Sequence, residues 1–170
     1  MTFYSINPFN GERVASFEAM DREAIQQTIE QCYSAQQLWR DVSLTKRGRL
    51  MCSAQDLLLA NKEAYAALLT REMGKPYAEA VAEVEKCAWV CRYYADHAEG
   101  FLADQPVATE AHRSFVTFRP LGVVLAVMPW NFPLWQVFRF AAPGLMAGNG
   151  ALLNNFVSEP AEAVRERIAA

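Results

Sequence analysis

The sequence predicts an α/β protein with an incomplete parallel sheet, and three observations predict it. Residues 122–128 are a continuous apolar run of strand length, bounded by glycine and proline, as a fully buried parallel strand reads. A helix beginning at Pro133 and a Gly148-Asn149-Gly150 turn follow, and Ala151 to Leu153 start another strand. Four helical segments and two short ribbons come earlier, with no further parallel strand, whereas a doubly wound sheet needs several.

Each element has a local cause. Asn10-Gly11 stands between two short apolar-alternating arms over residues 5–17, the strongest short hairpin signal. Asp21 caps a first helix whose apolar positions Ile25, Ile29, Cys32, Tyr33 and Trp39 are spaced for one buried stripe. Ser43 caps a second, with Leu50, Met51, Ala54, Leu57 and Leu58 at three- and four-residue steps. Asn61 opens a third, carrying Tyr65, Leu68, Leu69 and Met73, and Gly74 occupies the place of a left-handed C-cap. Pro76 begins a long fourth helix, with Ala80, Val84, Cys87, Ala88, Cys91, Tyr94, Ala95, Ala98 and Phe101 on one stripe. Residues 105–110 and 113–119 read as a two-stranded ribbon, marginal alone and suited to packing on something larger. Pro143 falls inside the helix from Pro133, where it removes a hydrogen bond. Beyond Asn154 the text turns polar and broken, and residues 160–170 read as a short helix capped by Ser158.

Composition excludes several classes. At 52% hydrophobic and 12% aromatic residues, the 170-residue chain can pack a core. Sixteen basic against nineteen acidic residues, without a basic stripe, argue against nucleic acid or an anionic membrane as partner and favour a small molecule. No apolar run has spanning length and the amino terminus has no signal-peptide core, so the expected location is cytoplasmic. Cys32, Cys52, Cys87 and Cys91 lie in helical patterns without a CxxC pair; they read as reduced thiols, and Cys87 and Cys91 as core rather than metal ligands. His97 and His112 have no telling neighbour and are assigned no role. The charges at Glu72, Lys75, Glu79, Glu83, Glu85 and Lys86 read as solvated helix-face ion pairs.

Any chemistry starts at the turn Pro129-Trp130-Asn131-Phe132-Pro133, because ligands of open α/β sheets sit beyond the carboxyl ends of the strands. Pro133 suits the first helical turn. Asn131 has two readings from the residues alone: an amide donor aimed at a ligand, or the N-cap of the helix.

Three segments, MPWNFP at 128–133, MAGN at 146–149 and TREMGKP at 70–76, resemble the aldehyde dehydrogenase superfamily in kind, order and spacing. Within it WNFPLWQVFR is most similar to bacterial NAD(P)-dependent succinate-semialdehyde dehydrogenases. The resemblance spans residues 5 to about 153, roughly the first third of a family member. It implies the amino-terminal part of that fold: residues 1–104 and 120–153 as part of a Rossmann-like dinucleotide-binding domain, 105–119 as an oligomerisation-type ribbon, and 154–170 as a divergent tail.

By resemblance, Asn131 is the oxyanion-hole amide, and Val127, Met128, Pro129 and Trp130 approach NAD or NADP largely through backbone. Asn154 stands where the family has a lysine for the adenosine ribose or 2′-phosphate. Phe132 and Gln136 line the substrate end, and Arg139, eight residues after Asn131, holds the far carboxylate of the aldehyde. The family's ELGG glutamate and GQxC cysteine motifs match nothing, and no metal is implied. The chain alone is therefore expected to lack dehydrogenase activity. It reads as a truncated enzyme or as a non-catalytic module, either homo-oligomeric or assembled with a full-length subunit.

Overall fold

The computed structural model describes residues 2–156, with the elements β1 (Thr2–Ile6), β2 (Arg13–Glu18), α1 (Arg22–Trp39), α2 (Leu44–Ala60), α3 (Lys62–Met73), α4 (Tyr77–Leu102), β3 (Gln105–Pro106), β4 (Phe115–Val116), β5 (Val123–Pro129), α5 (Pro133–Met146) and β6 (Gly150–Phe156). The helix expected at 160–170, with its cap Ser158, lies outside the described residues. β5 and β6 pair in parallel, with Val123 opposite Gly150 and Val127 opposite Asn154. β6 therefore continues past Leu153, where the sequence suggested a break, because Asn154 still has β5 as a neighbour to pair with.

The helix starts follow the expected chemistry. Asp21 accepts from the Ala24 N–H at 2.8 Å and Ser43 from the Lys46 N–H at 3.3 Å, each filling a donor that the first turn leaves open. Gly74 closes α3 at φ +73°, a conformation that costs a side chain but not glycine. The hairpin forms, but through a six-residue loop: Asn7 N–H donates to the Glu12 carbonyl at 2.9 Å, and a register shift follows Ser5. The 105–119 ribbon pairs only at Gln105–Pro106 with Phe115–Val116, shorter than its alternation suggested.

The core sits where α4 packs against α2, α3 and α5. Val84, Cys87 and Cys91 of α4 are fully buried there with Ala66, Ala142 and Met146. Two sequence expectations change. β5 is not a fully buried strand: Ala126 is covered, but Leu125 and Val127 are 64% and 51% exposed, because no layer among the described residues covers that face. The α1 stripe is likewise open at Ile25, Ile29 and Tyr33, and Gln36 is the buried residue of that helix. Leu50 and Leu57 of α2 and Phe101 of α4 are also exposed.

Two side chains of α1 tie it to the far end of α5. Trp39 Nε1 donates to the Leu145 carbonyl at 2.9 Å, and Gln36 Nε2 to the Gly148 carbonyl at 3.1 Å. Between α5 and β6, Asn149 locks the crossover: its Oδ1 accepts from the Leu121 and Gly122 N–H groups at 2.7 and 3.2 Å, and its Nδ2 donates to the Gly144 carbonyl at 3.3 Å. The amide thereby fixes where β5 begins relative to β6. This is the physical content of the MAGN segment, whose third and fourth residues put glycine and asparagine in a tight crossover.

Candidate active site

β5 delivers the chain to a turn at its carboxyl end, and α5 leaves it. Pro133 opens α5 and Phe132 occupies the N-cap position without any side-chain cap bond of its own. The cap comes from α4 instead: Glu83 Oε1 accepts from the N–H groups of Leu134 and Trp135, each at 2.9 Å. Glu83 is buried, and its other oxygen pairs with Lys75 Nζ, also buried. The Lys75 ammonium lies 3.8 Å from the centre of the Phe132 ring.

Two of the six charges read as solvated are thus buried. Taking a carboxylate and an ammonium out of water is costly unless both are paired and hydrogen-bonded, and here a countercharge, two backbone donors and an aromatic face provide that. The sequence held no signal to single them out, since the six charges fall together over residues 72–86; in the structure Lys75 stands between α3 and α4, and Glu83 on α4. Lys62 and Glu85 do form an exposed pair at 2.8 Å; the hydrogen bond to Glu85 raises the Lys62 pKa. Lys86 lies 4.0 Å from the Trp135 ring centre, so the start of α5 carries a second cation on an aromatic face.

With Glu83 as cap, the two readings of Asn131 separate. Asn131 is exposed and its side chain makes no hydrogen bond among the described residues, so it does not cap α5. Its amide stands free at the end of the strand. Most of the residues singled out from sequence follow one another along β5, the turn and α5, and pairing of the strands adds Asn154. Val127 lies beside Asn154 across the parallel pair, both exposed, with Met128 and Pro129 following along β5. Trp130 is half-buried within the turn, and Phe132 is exposed beside Lys75. Gln136 donates its N–H to the Phe132 carbonyl at 3.0 Å and is half-buried. Arg139 is exposed one turn further on and forms no ion pair among the described residues.

The cysteines have a different character. Cys87 and Cys91 are fully buried in the α2–α4–α5 core, and burial pushes their thiols up to about 12 and about 11. Thiols so desolvated stay protonated and are poor nucleophiles at neutral pH. Cys32 and Cys52 are half-buried on α1 and α2. No cluster of histidine, cysteine and carboxylate able to hold a metal occurs among the described residues.

Arg47 was not anticipated from sequence. It is 9% exposed, and its Nε and Nη1 find no acceptor among the described residues. Burial lowers its pKa. It packs under the crossover: a methyl group on Gly148 would fall 2.4 Å from Arg47 Nη1. An arginine in the first turn of an amphipathic helix looks like any surface cation, and only the approach of α5 encloses it.

No helix is long and apolar enough to cross a membrane among the described residues. A probable succinate-semialdehyde dehydrogenase [NADP(+)] of Synechocystis is 48% identical over 160 residues, 94% of this chain and 35% of that protein. The succinate-semialdehyde dehydrogenase [NADP(+)] of Mycobacterium leprae is 44% identical over 163 residues, again 94% of this chain and 36% of the relative. The crystal structure of succinic semialdehyde dehydrogenase from Streptococcus pyogenes in complex with NADP+ superposes with a TM-score of 0.87 at 30% identity, covering 98% of this chain and 37% of that one. The chain therefore spans little more than a third of the length of these relatives. The family model for the aldehyde dehydrogenase family matches residues 1–167, well past the Leu153 limit read from the motifs. With its strand-turn-helix unit, its capped turn and this match along nearly its whole length, the chain belongs to the aldehyde dehydrogenase family.

Proposed function

We propose that this chain forms the amino-terminal part of an NADP+-dependent dehydrogenase that oxidises succinate semialdehyde, or a closely related acidic aldehyde, to the acid. The observation that carries this reading is the free Asn131 amide at the strand end with Arg139 on the helix behind it. Asn131 Nδ2 is the oxyanion donor, favouring the alkoxide that develops when a thiolate adds to the aldehyde carbon. From Pro133 to Arg139 is six residues, roughly 9 Å of helix rise, and side chains on a helix lean toward its amino end. Arg139 is thereby suited to take the far carboxylate through its guanidinium fork. Phe132 and Gln136 line the path between the two.

The nicotinamide, when bound, accepts the hydride. Val127, Met128, Pro129 and Trp130 hold it chiefly through backbone, with Asn154 beside Val127 as an uncharged contact for the ribose end. The parallel strand ends, open and paired in register, support such a site. Cys87 and Cys91 are too deeply buried to supply the nucleophilic thiolate, and no segment matches the family's cysteine and glutamate motifs, so the chain alone is expected to form no NADPH from succinate semialdehyde. The exposed Val107, Phe115, Val116 and Phe118 of the ribbon segment favour a second reading, a module that assembles with a complete dehydrogenase subunit. Co-purification with such a subunit supports that reading, and a lone monomeric chain counts against it.

The test is a hybrid in which residues 1–156 replace the matching segment of the Synechocystis relative. Asn131→Ala should lower kcat about a hundredfold with any aldehyde, the usual cost of one oxyanion donor. Arg139→Ala should raise KM for succinate semialdehyde far more than for an uncharged aldehyde of similar length. Equal loss on both substrates refutes the carboxylate role.

A further inference from the structure

The first N–H groups of an α-helix have no partner within the helix and need acceptors from elsewhere. In α5 the account closes completely. Pro133 has no N–H, Leu134 and Trp135 donate to Glu83 Oε1, and Gln136 donates to the Phe132 carbonyl. Ordinarily a polar side chain just before the helix accepts these bonds, and Asn131 is the polar residue nearest at hand. Glu83, reaching across from α4, relieves it of that role.

The same carboxylate draws Lys75 into the gap, and Lys75 lies against the Phe132 ring. The pair therefore grips the chain immediately after residue 131: Lys75 at the side chain of residue 132, Glu83 at the backbone of residues 134 and 135. Each partner is itself fixed. Lys75 follows Gly74, whose φ of +73° turns the chain out of α3, and Pro76 then starts α4; Glu83 sits two turns into α4 beside the fully buried Val84 and Cys87. The GKP triplet is a device for placing one ammonium where α3, α4 and α5 meet.

We infer that Glu83 is a positioning residue for Asn131: it caps α5 in its place, leaving the amide free, while Lys75 supplies the countercharge that lets the capping carboxylate be buried. This rests on the oxyanion reading of Asn131 and adds to it how that amide is aimed. Neither residue touches the reacting atoms.

The full 170-residue chain, labelled with 15N, tests it. The readouts are hydrogen exchange at the Leu134 and Trp135 amides and the side-chain amide resonance of Asn131, assigned by its loss in Asn131→Asp. Glu83→Ala should speed exchange at both amides at least tenfold and shift the Asn131 resonance, while the Val90 amide in mid-α4 keeps its protection. Lys75→Met/Glu83→Gln, which retains an acceptor and removes both charges, should restore both signals to parent values. An Asn131 resonance unmoved in Glu83→Ala, or one that shifts in the double variant while Leu134 and Trp135 stay protected, overturns the coupling. If Glu83→Ala does not fold, the double variant alone decides by the same two signals. The oxyanion reading fails separately, by an Asn131→Ala hybrid of undiminished kcat.

Discussion

Replacing Gly148 with alanine should be among the most damaging single-methyl changes in the chain. Gly148 sits at φ +86°, where an L side chain is strained by about 1–2 kcal/mol. Its Cβ would also meet Arg47 Nη1 at 2.4 Å and Pro120 Cγ at 2.9 Å. The guanidinium is nine-tenths buried and the proline ring cannot swing aside, so the crossover must shift, at about 1–3 kcal/mol for overpacking. A shift also strains the 3.1 Å bond from Gln36 Nε2 to the Gly148 carbonyl, worth about 1 kcal/mol. The sum is roughly 3–6 kcal/mol. Gly11→Ala separates the terms: Gly11 has φ +74° but nothing within 4 Å of the added methyl, so it should lose about 1–2 kcal/mol, the backbone part alone. Urea unfolding followed by far-ultraviolet circular dichroism measures both. Equal losses at the two positions would refute the enclosure of Arg47 against Gly148.

Two further outcomes follow from the same contacts. Asn149→Ala removes three hydrogen bonds that tie the α5–β6 crossover to the residues before β5 and to α5, and urea unfolding should show a loss of about 2–3 kcal/mol; a loss under about 0.5 kcal/mol would mean the crossover is held by other contacts. Burial raises the Cys87 and Cys91 thiols to about 12 and about 11 in the folded state, from an ordinary 9.0, so they favour the folded state fully below pH 9. Above pH 9 the unfolded thiols ionise while the folded ones stay protonated, and stability should fall through that window. Cys87→Ala should flatten the decline; an unchanged slope between pH 9 and 11 would refute the assignment.

Helix starts and stops were legible because they are local chemistry. Asp21, Ser43, Gly74 and Pro133 act through bonds or dihedrals within four residues of themselves. Burial was less legible. The period of Ile25, Ile29 and Tyr33 marks an apolar face of α1, but a period does not say whether anything covers it, and here nothing described does. The same limit made β5 look enclosed when Leu125 and Val127 are open. At the turn, sequence left Asn131 between cap and ligand donor, because the residue that decides lies 51 positions before Leu134. Glu83 and Lys75 look like their solvated neighbours on the page, and only the approach of α5 to α4 sets them apart.

A cap supplied by another helix makes the turn a property of the assembled layers, not of its own sequence. Residues 129–146 cut out as a peptide would carry the motif and lose its shape, since the Leu134 and Trp135 N–H groups would turn to water. Grafting the turn onto a foreign scaffold would fail for the same reason unless counterparts of Lys75 and Glu83 travelled with it. In return, Trp130 and Asn131 are excused from holding the helix together. Their side chains can change with the ligand while the backbone beneath them stays where it is.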